Sequence, residues 1–138
     1  MPSFSNFADF EKYLNQKINV AVEEACDRLL SELTKIIQEE FYLQYDPNVY
    51  ERTYQYAMSG TYKMLSQLSG MVFLDADSMD YGAFWDGERQ LAMASEGYHG
   101  RYDIRTEGRP WQTFIEFCEK NAFKILKEEM IKQGIPLK

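Results

Sequence analysis

The chain has 138 residues and a mass of 16.3 kDa, the size of one domain, with 15 basic residues against 22 acidic ones and a net charge of −7. Apolar residues make up 45% and aromatics 15%, enough for one packed core, so wholesale disorder is excluded. The length leaves no room for a cofactor domain beside a substrate domain, and the acidity argues against holding nucleic acid by general phosphate neutralisation.

The first predicted element is a long helix over 6–44. Ser5 or Asn6 can cap it, and Asp9 in the first turn suits the positive end of the helix dipole. Apolar residues recur at Phe7, Phe10, Leu14, Ile18, Ala21, Ala25, Leu29, Leu33 and Ile36 in steps of three and four, which keeps them on one face. Val22, Cys26, Leu30 and Ile37 widen that face. From Asn6 to Glu40 such a helix is about 50 Å long, more than a compact domain of this size requires. Part of it is therefore expected to pack on another subunit.

Asp46-Pro47-Asn48 is a stop signal, because Pro47 disfavours helix at Asp46. Five tyrosines lie close together around it, at 42, 45, 50, 54 and 56. The region 49–108 reads as strand- and loop-rich, since seven of the eight glycines lie between Gly60 and Gly108. Thr61–Ser66 and Gly70–Leu74 read as short strands. Residues 75 to 108 hold no strong period and read as a long excursion, of the length that binds something or is ordered by a partner. A second helix is predicted over 110–133. Pro110 sits in its first turn, where a missing N–H costs nothing. Trp111, Phe114, Ile115, Cys118, Ala122, Ile125, Leu126 and Met130 form its apolar face, and Gly134 with Pro136 ends it. The expected class is α+β in a single domain over 1–138: a long N-terminal helix, a small antiparallel sheet with a long loop excursion, and a C-terminal helix. Residues 1 to 100 carry 16 acids and 7 bases, net −9, while 101 to 138 carry 6 acids and 8 bases, net +2. A basic tail on an acidic body suits head-to-tail subunit contact; a solvated helix face is the other reading.

Few residues offer chemistry. Cys26 and Cys118 lie far apart and form no metal-ligand spacing, so buried free thiols in a reducing compartment are expected. No apolar run approaches the roughly eighteen residues needed to span a bilayer, and the N-terminus lacks the basic and apolar stretches of a signal peptide. Asp75-Ala76-Asp77-Ser78-Met79-Asp80 resembles a calcium loop, but its fifth and sixth positions are Met79 and Asp80 where a ligand and a glycine belong. His99 stands among glycines, which reads as a flexible stretch and a poor platform for a general base. Glycine-rich phosphate loops, nucleophile elbows and zinc-protease motifs are absent from the sequence, so no enzyme, catalytic residue, metal or cofactor is expected. Arg101, Arg105 and Arg109 are spaced by four, with Gly100 and Gly108 arguing for loop, and read as loop arginines for ion pairs with a partner subunit. Phe84, Trp85 and Tyr98 are bulky aromatics in a glycine-rich stretch, natural anchors for a protein partner. These six are the candidate interface residues.

One arrangement is familiar. The long helix leads to Arg52-Thr53-Tyr54-Gln55-Tyr56-Ala57-Met58-Ser59, then strands, then Phe73-Leu74-Asp75-Ala76-Asp77-Ser78-Met79-Asp80-Tyr81, and Arg109-Pro110-Trp111 opens the last helix. This resembles the bacteriophage tail-completion or head–tail joining (neck) family, whose turn usually reads Arg-Thr-Gly-x-Leu-x-x-Ser and whose helix opening reads Arg/Gln-Pro-Phe. Tyr54 here replaces the glycine and Trp111 the phenylalanine. The resemblance implies a virion structural protein that forms a homo-oligomeric ring in the neck. It would be assembled in the host bacterial cytoplasm and join the portal and head-completion proteins to the tail. DNA would be passing cargo, and no membrane would be involved. An acidic ring lumen would then repel DNA phosphates and let the genome slide. The alternative is a small acidic phage inhibitor of a host defence nuclease, with Asp75, Asp77, Asp80, Asp86 and Glu88 mimicking DNA phosphates.

Overall fold

A computed structural model describes residues 3–45, 55–78, 87–99 and 105–137. Helix α1 spans Phe7–Glu40, a 3-10 turn follows at Tyr42–Gln44, and a single helical turn, α2, covers Gln55–Met58. Strands β1 (Gly60–Ser66) and β2 (Ser69–Leu74) come next, then a 3-10 turn at Ala76–Ser78, helix α3 (Gly87–Ser95) and helix α4 (Pro110–Lys132). The class is α+β, mostly helical with a small sheet.

The ends of the long helices follow from local chemistry. Asn6 caps α1: its side-chain oxygen accepts from the Asp9 N–H at 2.8 Å, satisfying a donor that has no partner inside the helix. At the other end of the chain Gly134 takes φ +84°, the Gly134 N–H donates to Ile131 O at 2.9 Å, and the Ile135 N–H donates to Met130 O at 3.1 Å. That pair of bonds is the Schellman closure, and a left-handed residue is what it requires. Pro110 occupies the first turn of α4, as its missing donor allows.

β1 and β2 form a two-stranded antiparallel hairpin in which Gly60 faces Leu74 and Met64 faces Gly70. A two-stranded sheet has little stability alone, so it needs a helix to cover one face. That helix is α1. A side chain at Gly70 would collide with Cys26 Sγ, so the glycine lets the hairpin lie close on the helix. The Asn19 side chain then donates to Gln67 O at 3.1 Å at the hairpin tip. On another side of α1 lies α4, running antiparallel: Gly108 sits against Glu40, and Glu128 and Glu129 sit against Arg28.

The core gathers where these layers meet. Leu33, Ile36, Ile37, Tyr42, Tyr56, Ala94 and Phe114 form one buried cluster, with Leu29, Val72, Leu91 and Trp111 packed against it. Tyr56 is buried, and its hydroxyl lies 3.0 Å from Ser95 Oγ. Burial pushes that phenol well above its ordinary pKa; the Ser95 bond pulls the other way and Tyr42 adds to the rise. The buried residues of α1 are Ala21, Ala25, Cys26, Leu33, Ile36 and Ile37, so its first four turns contribute none.

Three expectations need correction. The excursion after residue 75 contains a nine-residue helix, α3, which buries Gln90, Met93 and Ala94. His99 is not in a loose stretch: it is only 4% exposed and stacks on Phe41 with ring centroids 4.2 Å apart. Cys118 is half-buried rather than buried, although both cysteines are free and burial raises both thiols, with Glu23 adding to the rise at Cys26.

Candidate interaction surfaces

Of the six candidate interface residues, Phe84, Trp85 and Arg101 lie outside the described residues. The other three come together at one place. Tyr98 and Arg105 form an antiparallel bridge, the Thr106 N–H donates to Gly97 O at 3.0 Å, and the Arg105 guanidinium lies 4.9 Å from the centre of the Tyr98 ring. Arg105 also donates to Glu96 O at 3.0 Å and pairs with the Glu96 carboxylate at 3.4 Å. Arg109 reaches the same carboxylate at 4.0 Å and donates to the carbonyls of Thr106 and Gly108 at 2.6 and 2.8 Å. Arg105 and Arg109 thus lie in loop, as the flanking glycines suggest, and they tie that loop together within the chain. Gly97, at φ +90°, provides the turn that brings Glu96 towards them.

His99 anchors the same loop from inside. Its ring packs on Phe41 and Tyr45, and its Nε2 is 3.0 Å from Thr106 Oγ1. Gly108 completes the closure: its N–H donates to Gln44 Oε1 at 2.7 Å, and a side chain there would strike the Glu40 carbonyl. The loop is therefore pinned to the exit of α1. Glu96 and His99 were not legible as its organising residues, because their partners Arg105, Arg109 and Phe41 are brought near only by folding.

A second cluster joins the long helices. Glu129 is 4% exposed and accepts from Arg28 and Lys132, each at 3.0 Å, while Arg28 also meets Glu128 at 3.0 Å. Burial pushes the Glu129 carboxyl up, but the bonds from Lys132 and Arg28 outweigh it and hold it below the usual carboxylate range. Beside this cluster a cleft of about 320 Å³ runs between the helices, lined by Asp27, Ser31, Phe117, Asn121 and Lys124 among others.

The outer surface carries three further features. Phe7 is 74% exposed at the start of α1, and Phe4 folds back so that its ring lies 5.5 Å from that of Phe10 and 5.0 Å from that of Tyr13. On the middle of α1, Glu23, Glu24 and Asp27 are exposed and neighbour one another. The Tyr62 hydroxyl donates to Glu23 at 3.4 Å; partial desolvation first, and then these three carboxylates, push its pKa up. On α4, Phe123 is 80% exposed beside Lys120, Lys124 and Lys127.

Chemistry of bond-making is hard to place on these features. Among the described residues no three His, Cys, Asp or Glu side chains gather as a metal site would require. Asp75 accepts from the Asp77 N–H at 3.0 Å, a local turn bond, and Asp80 and Asp86 lie outside the described residues. Among the described residues no helix is long and apolar enough to cross a membrane. Ser59, the last residue of the Arg-Thr turn, is buried with its hydroxyl on Tyr56 O at 2.6 Å, while Arg52, Thr53 and Tyr54 lie outside the described residues.

No curated protein and no solved structure matches the chain. A family model does, over residues 6–133, from the cap of α1 to the last residue before Gly134. The chain belongs to the YomN family, a Bacillus phage-derived protein family.

Proposed function

We propose that the chain is a structural protein of the phage virion that works in the neck, joining the portal complex to the tail, and that it does so through surfaces rather than catalysis. The observation that carries this reading is the overhang of α1. Phe7, Phe10, Leu14 and Ile18 continue the stripe that packs the core, yet nothing between Phe7 and Val20 is buried. Phe7 is exposed and Phe10, Leu14 and Ile18 are half-buried, and an apolar stripe covered only in part along a stiff helix fits a protein that is completed by its neighbours in an assembly. Membership of a phage-derived family and the tail-completion-like order of elements support the same reading. Its partners would be copies of itself and the head-completion and tail proteins, with the genome passing through.

Two measurements on one phage test it. Proteomics of purified virions should find the protein, and electron microscopy of a lysate lacking its gene should show filled heads and separate tails. Normal joined virions from the deletion, with the protein absent from wild-type particles, would overturn the proposal. If that deletion phage also failed only on hosts bearing a defence nuclease, the inhibitor reading would take its place.

A further inference from the structure

Two surface patches of opposite charge stand on the two long helices, Glu23, Glu24 and Asp27 on α1 and Lys120 and Lys127 on α4. Ala21 and Ala25 are buried on the face of α1 that also carries Arg28 towards α4. At about 100° per residue, Glu23 lies opposite both alanines, Glu24 lies within about 40° of Arg28, and Asp27 borders the cleft between α1 and α4. The same reasoning applies to α4, where Ile125 is 5% exposed and Phe123 and Lys127, two residues to either side, point away from α1. Arg28, next to Asp27 in the chain, is committed to Glu128 and Glu129, and Lys132 is committed to Glu129. Among the described residues no ion pair reaches Glu23, Glu24, Asp27, Lys120 or Lys127. One acidic and one basic surface are thus left without an ion pair among the described residues. The basic surface has a large apolar residue at its centre: Phe123 is 80% exposed.

We propose that these two surfaces bind each other between copies of this chain, Lys120, Phe123 and Lys127 of one copy resting on Glu23, Glu24 and Asp27 of the next. The occupant is a second copy because both complementary halves are present on every chain, and an overall charge of −7 opposes a polyanion as the alternative guest. On the neck reading, one surface of each copy engages the other surface of the next copy. The contact is head-to-tail, the kind that closes into a ring or propagates as a filament. This deepens the neck reading and rests on it for the ring; the contact itself belongs to the chain alone. Glu116 and Glu119 lie on the first half of α4. They confine the basic patch to the second half and so set where the neighbour sits.

The experiment is a charge swap. One full-length variant carries Lys120→Glu with Lys127→Glu, and the other carries Glu24→Lys with Asp27→Lys; all four positions lie outside the buried core, and circular dichroism checks the fold. In low salt, analytical ultracentrifugation of the wild type should show self-association that weakens as salt is added. Each variant alone should associate at least about tenfold more weakly, and an equal mixture of the two should recover the wild-type level. Carbodiimide cross-linking of mixed isotope-labelled wild-type chains should join the same lysines and carboxylates between molecules. A wild type that stays monomeric, variants that associate normally, a mixture that fails to recover, or cross-links on other surfaces would each overturn the proposal. Virion proteomics separates the two failures. A protein present in the neck but cross-linked elsewhere sinks only the contact. The right cross-links in a protein absent from virions sink only the neck reading.

Discussion

Helix α1 is two structures on one continuous period. From Ala21 to Ile37 its apolar side chains are covered by the hairpin and by α4, and six of them are buried. From Phe7 to Val20 the spacing is just as regular, but no residue is buried. The difference does not come from the helix's own sequence. It comes from the reach of the elements laid against it: the hairpin tip meets α1 at Asn19, and α4 pairs with it at Arg28 shortly before Lys132 ends that helix. The same stripe therefore serves a core at one end and an assembly at the other.

The comparison can be broken most forcefully in the covered half. Leu33 is fully buried, so Leu33→Ala should cost about 3 kcal/mol of stability in urea unfolding. A loss below about 1 kcal/mol would mean that the covered half is not the core. Gly108→Ala should cost about 2 kcal/mol, because the new methyl group meets the Glu40 carbonyl, a backbone atom that cannot swing aside. A shift in the loop that holds His99 against Phe41 should accompany it, visible as altered histidine and aromatic NMR signals.

The clasp between the helices is smaller in effect and sensitive to acid. Glu129 is buried, but Arg28 and Lys132 keep 38% and 65% of their side chains exposed, so solvent screens the cluster. Glu129→Gln should destabilise by about 1 kcal/mol. The sign with pH follows from the depressed carboxyl. Its stabilisation is complete above the unfolded value of about 4.3 and is lost as the pH falls through the lower folded value. Thermal melts taken as the pH falls below about 4.3 should therefore show a steeper decline in the wild type than in Glu129→Gln. At the alkaline end Tyr56 acts in the opposite sense. Its phenol is raised in the folded chain, so its contribution is intact below the unfolded value of about 10 and is lost as the pH rises towards the folded one. Tyr56→Phe gives up the Ser95 bond, about 1 kcal/mol, and should flatten that alkaline decline.

What the sequence disclosed and what it concealed follow a physical line. Both long helices were readable because a period of three and four repeated over many turns leaves little ambiguity, and Asn6, Pro110 and Gly134 marked their limits. The hairpin was readable from two short apolar runs joined at Gln67-Leu68. Helix α3 was not, because nine residues hold barely two turns, and Gln90, Met93 and Ala94 alone make no stripe. Arg105 and Arg109 both meet Glu96 within the chain. Arg28 meets acids one hundred residues away. Ion pairs of that kind leave no local signature, because charge at a single position says nothing of what folding will bring beside it. The overhang of α1, by contrast, was visible in advance as excess length.

The smallest stability effect therefore carries the sharpest test of the comparison. Phe7→Asp changes a side chain that is already 74% exposed and places an acid in the first turn of α1, where the helix dipole tolerates it. Its effect on the unfolding of the isolated chain should stay within about 0.5 kcal/mol, far below that of Leu33→Ala. If the uncovered half of α1 is completed by an assembly, the same change should sharply reduce rescue of a phage lacking the gene. Ile18→Asp, three stripe positions nearer the core, should reduce it as well. Full rescue by both variants would mean that the half-covered stripe has no partner, and α1 would then be overlong for no functional reason. Failure of Phe7→Asp to rescue, with an unchanged unfolding curve, would separate the two halves by experiment: one half determines whether the chain folds, and the other whether the folded chain can be used.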